Sequence, residues 1–143
     1  MATYVKYESA IEQIANKIMD VFGNQDTFRA AIHTDAPTVA TDTVLADITQ
    51  IGASNGYPGT NNITFNSSRT GATITATAAD VTWTATGGNL GASTTGRYIA
   101  IYDDTPAAPL DPLLSDYDYG STFTVADTET LLLDFGATFW TLA

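Results

Sequence analysis

Residues 80–112 read D-V-T-W-T-A-T-G-G-N-L-G-A-S-T-T-G-R-Y-I-A-I-Y-D-D-T-P-A-A-P-L-D-P, and this stretch decides the fold. Its first half alternates strictly, because Val81, Trp83 and Ala85 are separated by threonines. Alternation with a period of two places the apolar set on one face of a strand and the threonines on the other. Since Trp83 is a large apolar side chain, we expect its face to point into the core.

The second half of the stretch contains a denser apolar run, residues 97–102, with the sequence R-Y-I-A-I-Y. A run that is apolar at nearly every position is typical of a strand covered on both faces. Between the two strands, Gly87–Gly96 is uncharged and glycine-rich, which predicts a loop. After the second strand, residues 103–118 are acidic and rich in proline, and we expect an ordered loop because prolines this dense are excluded from central strands.

The composition excludes several classes of function. The 143 residues include 16 acidic and 5 basic side chains, for a formal net charge of −11, and no cysteine. Because binding to nucleic acid depends on neutralising phosphates with Lys and Arg, we expect no nucleic-acid partner, and anionic membranes are disfavoured for the same reason. Without cysteine there is no thiolate metal site, thiol catalysis or disulfide. The length favours one domain, residues 1–143.

Two segments have helical patterns. Residues 8–22 place apolar side chains at helical spacing; Ser9 and Glu12 form a capping-box pattern, and Gly23 supplies a stop. This predicts an N-terminal helix that packs on its own sheet, with a partner-binding amphipathic helix as the alternative. Residues 42–51 predict a second, short helix capped by Asp42.

The remainder, residues 27–143, is predicted to be a β-rich body. Short strands are predicted at Thr27–Thr34, around Ile63 and Phe65, at Thr73–Ala78, around Phe123 and Val125, at Leu131–Phe135 and at Phe139–Leu142, with turns between them. Many short strands separated by turn signals are typical of a sandwich. The predicted fold class is therefore α+β and mainly β: an antiparallel, jelly-roll-like β-sandwich with one N-terminal α-helix.

The residues that could carry chemistry form no recognisable catalytic motif. His33, the single histidine, is expected on the solvent face of its strand, without a nucleophile motif to serve. The acidic residues Asp103, Asp104, Asp111, Asp116 and Asp118 are interpreted as solvated turn aspartates, with calcium ligands or the paired carboxylates of a glycosidase as the alternatives. Five aromatic residues either line a sugar-binding platform or close a core or an interface: Trp83, Tyr98, Tyr102, Tyr117 and Tyr119. We expect no enzymatic activity, no catalytic residue and no cofactor.

Several segments resemble a family of small virion structural proteins of tailed bacteriophages and prophages. The resemblance is carried by T-F-R-A-A-I-H-T-D-A-P (27–37), T-D-T-V-L-A-D-I-T-Q-I-G-A-S-N-G-Y (41–57), the strand of Trp83, R-Y-I-A-I-Y-D-D-T-P (97–106), P-L-D-P-L (109–113) and D-Y-G-S (118–121). It covers nearly the whole chain, but its motifs are structural, so they identify the family better than the role.

The resemblance implies a capsid decoration (cement) protein that binds the outer surface of the head and stabilises it. The implied partner is the major capsid protein, the implied oligomer a homotrimer, and the implied location the capsid surface of the virion, after assembly in the host cytoplasm. A tail or fibre component, or a carbohydrate-binding adhesion module, is the alternative. We expect docking through the uncharged loops Gly52–Asn62 and Gly87–Gly96, with Tyr57, Leu90, Asn89 and Asn61 as interface residues.

Overall fold

The computed structural model describes residues 3–22, 26–92 and 95–142. Ten strands and one helix lie in this part of the chain. They are β1 (Thr3–Lys6), α1 (Glu8–Ala15), β2 (Phe28–His33), β3 (Asn61–Ile63), β4 (Phe65–Thr70), β5 (Thr73–Ala78), β6 (Val81–Thr84), β7 (Gly96–Asp103), β8 (Leu113–Phe123), β9 (Thr130–Leu133) and β10 (Trp140–Leu142).

The largest sheet has five strands in the order β1-β8-β7-β2-β3, and each pair of neighbours is antiparallel. Its central strand is β7, in which every residue except the half-buried Arg97 is buried. Its residues are buried on both faces, and α1 packs against the neighbouring strand β8. The prediction of a strand covered on both faces is confirmed, because an apolar run of this density needs cover on either side.

A second layer consists of the three-stranded sheet β10-β5-β4 and the two-stranded sheet β6-β9. The aromatic rings of Phe28 and Phe65 lie 4.6 Å apart between centroids, and those of Phe65 and Phe139 4.7 Å apart, so ring contacts join the two layers. Trp83 is only 2% exposed, which confirms that it belongs to the core. The chain is therefore mainly β with one helix and antiparallel sheets, as predicted, whereas jelly-roll-like connectivity stays a prediction.

The N-terminal helix is shorter than the predicted 8–22. It ends at Ala15, because Lys17 adopts a positive φ of 57° and the N–H groups of Lys17 and Ile18 donate to the carbonyls of Ile14 and Gln13. This pair of hydrogen bonds is a Schellman motif. The predicted stop, Gly23, lies outside the described residues.

The predicted capping box is also wrong. The N-cap is Tyr7, which makes no side-chain capping bond, and the Ser9 hydroxyl is buried without a hydrogen-bond partner. The backbone N–H of Glu8 donates instead to the carbonyl of Val39, 3.0 Å away. A tertiary hydrogen bond thus replaces the local cap.

The second predicted helix, residues 42–51, is wrong as well, since only a 3₁₀ turn at Leu45–Asp47 forms there. The carboxylate of Asp47 accepts from the backbone N–H groups of Thr43 and Val44, and other backbone groups of this segment bond to distant strands. For example, the N–H of Ile51 donates to the carbonyl of Ile32. These partners compete with the i→i+4 bonds that a helix would need.

The predicted loop 103–118 is much shorter than expected, because β8 begins at Leu113 and carries both Asp116 and Asp118. The remaining segment, residues 104–112, is the proline-rich connection between β7 and β8. Residues 81–84 and 96–103, the two strand patterns that decide the fold, lie in different sheets: β6 pairs with β9, whereas β7 pairs with β2 and β8. Phe123 ends β8 and does not start a new strand.

Candidate functional site

Residues 52–57 and 86–92, which belong to or adjoin the two uncharged loops that are predicted to dock, pack against each other, and we call them the loop layer. The N–H of Gly91 donates to the carbonyl of Ser54 (3.0 Å), and that of Ala92 to Gly52 (2.7 Å). Gly56 has a φ of 87°, and a Cβ added there would lie 2.1 Å from the carbonyl oxygen of Thr84. Glycine is therefore required where the first loop passes over β6.

The four predicted interface residues divide between core and surface. Tyr57 is 2% exposed and its hydroxyl accepts a hydrogen bond from the backbone N–H of Ile32, and Leu90 is 4% exposed. Both side chains anchor the loop layer to the core and are not available to a partner. Asn89 is exposed and Asn61 half-buried, so these two remain at the surface, and the docking role of the layer stays a prediction.

The proline-rich connection between β7 and β8, residues 104–112, is a short loop that we call the finger. Its ends are fixed: the N–H of Asp103 donates to the carbonyl of Pro112 (3.0 Å), and the N–H of Leu45 to that of Asp111 (2.9 Å). An isolated bridge between Ala107 and Leu110 closes its tip. Leu110 at this tip is 66% exposed.

Two neighbouring pairs of aspartates, Asp26 with Asp103 and Asp104 with Asp111, lie near the base of the finger, and we call these four residues the acidic collar. Arg29 pairs with Asp104 at 2.9 Å. Burial, together with the neighbouring Asp104, raises the pKa of Asp111. Asp103 is completely buried, and burial, with the adjoining Asp26 carboxyl, raises its pKa to about 7.

A second polar group lies inside the molecule, between the five-stranded sheet and α1. One oxygen of Asp116, Oδ2, accepts from the Tyr7 hydroxyl at 2.8 Å and lies 2.7 Å from Nε2 of His33. Nδ1 of His33 lies 3.5 Å from an Asp35 oxygen. Burial raises the pKa of Asp116, and His33 opposes that effect. We call Tyr7, His33 and Asp116 the buried triad.

The buried triad corrects two predictions from the sequence. His33 was expected to face solvent and Asp116 to be either a solvated turn residue or a calcium ligand, but both are fully buried. Covering both faces of β2 puts His33 inside, and the extension of β8 puts Asp116 opposite Ala100 on the same face. In the sequence, the small apolar residue Ala31, two positions before His33 and therefore on the same face of β2, is a signal that this face is covered too. The hydrogen bonds of the triad therefore join the start of α1 to strands β2 and β8 inside the protein.

The predicted aromatic platform is largely core. Trp83, Tyr98 and Tyr102 are each at most 5% exposed. Tyr117 and Tyr119 instead line a cavity of about 480 Å³ together with Tyr4, Leu132, Leu133, Asp134, Phe135, Gly136, Thr138 and Phe139. The cavity lies beside the N-terminal end of β1, where Tyr119 donates a hydrogen bond to the carbonyl of Leu132 at 2.7 Å.

The five aspartates considered as calcium ligands do not form one group. Asp116 belongs to the buried triad, and Asp118 makes a bidentate pair with Arg97, which lowers the pKa of Asp118. Within residues 3–22, 26–92 and 95–142, no three His, Asp or Glu side chains are grouped so that they could hold a metal ion. No helix in the same ranges is long and apolar enough to cross a membrane. Comparison with models of known families, with curated proteins and with solved structures finds no significant match.

Proposed function

We propose that this chain is a structural protein of a tailed-phage virion that decorates the outer surface of the head. The observation that carries the proposal is the loop layer of residues 52–57 and 86–92, whose backbone hydrogen bonds fix an uncharged, hydroxyl-bearing surface. Ordered, glycine-containing loops fit closely against another backbone and lose little entropy on binding. The resemblance to virion proteins supports the same role.

In this role the protein acts by binding and performs no chemistry. It covers joints between major capsid subunits as a homotrimer, and it stabilises the assembled shell because it binds the shell in preference to free subunits. Its net charge of −11 keeps it away from packaged nucleic acid. We place it on the capsid surface, after assembly in the host cytoplasm; a tail or fibre position is the alternative within the virion.

The test is co-sedimentation with empty shells assembled from the major capsid protein of the same phage. We expect saturable binding that survives 0.5 M salt, where the Debye length has fallen to about 4 Å. Asn89→Arg in the loop layer should weaken binding, whereas Ser68→Arg on the exposed strand β4 is the matched control. Light scattering of the free protein gives its oligomeric state. Absence of binding at low salt contradicts the proposal.

The aromatic cavity favours a second candidate, a carbohydrate-binding module. Its volume of about 480 Å³ lies in the roughly 300–1,000 Å³ range of small-ligand sites, and its rim carries the hydroxyl of Tyr119 and the carboxylate of Asp134. Tyrosine faces pack against the C–H groups of sugar rings, while rim oxygens bind their hydroxyls. Titration with a panel of oligosaccharides, monitored by NMR, tests this candidate. It predicts shifts confined to the cavity that Tyr119→Ala abolishes.

A further inference from the structure

Leu110, at the tip of the finger, is the most exposed large apolar side chain in the described part of the chain. Leu110 is 66% exposed, compared with 54% for Ile11 and 49% for Leu132. Ala107 and Ala108 beside it are exposed as well, so three apolar side chains of the tip are open to solvent. Exposed apolar surface that is rimmed by polar groups is characteristic of interaction sites.

The finger is fixed before any partner arrives. Beyond the two bonds at its base, the N–H of Leu113 donates to the carbonyl of Thr43 (3.0 Å), and the N–H of Asp104 to that of Thr27 (2.8 Å). Prolines at three of its positions further restrict the backbone. A segment held in one shape loses little conformational entropy when it docks.

The acidic collar specifies the charge of the partner. The carboxyl groups of Asp104 and Asp111 neighbour each other, while Arg29 is the single cation paired with them in the described residues. The excess negative charge is complementary to a rim of Lys or Arg side chains. A second copy of this chain supplies such a rim poorly: it has 5 basic residues, and Arg29 and Arg97 already pair with aspartates.

We propose that Leu110 inserts into an apolar pocket of the major capsid protein, and that Lys or Arg side chains around this pocket meet Asp104 and Asp111. This inference rests on the proposed function and adds to it the contacting residue and the chemistry of the partner surface. The apolar tip provides the affinity, and the collar mainly accelerates association and selects the pocket.

The test measures binding of variants to empty shells of the major capsid protein by co-sedimentation and by surface plasmon resonance. We expect Leu110→Asp to weaken binding by about 30-fold or more, as for a central interface residue, and Leu110→Ala to weaken it less. Leu132→Asp is the matched control, because it places the same charge on another exposed leucine, and it should bind within about twofold of wild type. All variants are first checked for unchanged circular dichroism.

The collar is tested separately with Asp111→Asn, since asparagine also tolerates the positive φ of 51° at this position. Association of the wild type should slow as salt rises from 0.1 to 0.5 M, and the variant should slow less. Equal binding of wild type and Leu110→Asp overturns the inference and leaves the proposed function intact. Failure of the wild type to bind any shell overturns both. Loss of self-association in Leu110→Asp, with shell binding unchanged, assigns the finger to a second copy and overturns the capsid pocket.

Discussion

The buried carboxyl of Asp103 makes stability depend on pH in a direction opposite to that of an ordinary aspartate. Its side chain is completely buried, its Oδ1 accepts from the N–H of Thr105 at 2.9 Å, and burial raises its pKa to about 7. A pKa raised by folding stabilises the protein at low pH, and that stabilisation is lost as the pH rises through about 7. The wild type should therefore be more stable at pH 5 than at pH 8.

The magnitude follows from the two pKa values, about 7 in the folded protein and 3.8 as the ordinary value. Integrating the difference in bound protons between pH 5 and pH 8 gives a loss of about 2–3 kcal/mol. For a chain of this size that corresponds to a fall in Tm of roughly 6–10 °C. Asp103→Asn cannot ionise, and its amide can donate to the neighbouring Asp26 carboxylate, so this variant should lose the part of the dependence that Asp103 contributes.

Urea denaturation at pH 5, 6, 7 and 8 measures the effect for wild type, Asp103→Asn and a control. Asp134→Asn is the matched control, because Asp134 also accepts from the N–H two residues ahead, that of Gly136, but is exposed. It should keep the wild-type dependence. If Asp103→Asn shows the same loss of stability between pH 5 and pH 8 as the wild type, the argument from burial is refuted.

Three further predictions concern the core, the buried triad and the finger. Trp83→Ala should lower the free energy of unfolding by about 3–5 kcal/mol, as chemical denaturation can measure. Trp83→Phe should lower it less, because phenylalanine keeps an aromatic ring in the core and removes only an indole N–H that has no hydrogen-bond partner. Tyr7→Phe should cost about 1–3 kcal/mol and His33→Ala about 3–5 kcal/mol, since the latter opens a cavity and removes the partner that lies 2.7 Å from the buried Asp116 carboxyl; similar, small losses for both would contradict this. Thermolysin should not cut residues 104–112 in the folded protein, and early cleavage beside Leu110, located by mass spectrometry, would show that the finger is not fixed.

The strands were predictable because their side-chain patterns repeat over short distances. The alternation around Trp83 and the dense run of β7 each reflect burial in a sheet, so pattern and structure agree. The segment 42–51 was not predictable in this way, because its apolar residues fit a helix equally well. Its backbone is instead held by groups as far away as Asp111, and no local pattern records such partners.

The polar groups were the hardest part to predict. Asp116 and Asp118 are two residues apart, but one is buried against His33 and the other is paired with Arg97 near the surface. Their difference depends on which element covers each part of β8, and that is a property of the assembled sheet. Likewise Tyr57 and Leu90 lie in glycine-rich loops yet anchor the core, because the loops fold back over β6.

The pairing of β1 with β8 also constrains how the chain folds during synthesis. Thr3 lies opposite Asp118, so about 115 residues separate the two partners along the chain. At the usual elongation rate of about 5–20 residues per second, β8 leaves the ribosome roughly 6–23 s after β1. The edge of the five-stranded sheet is therefore completed late, and until then β1 and the apolar strands behind it are open to pairing with neighbouring nascent chains.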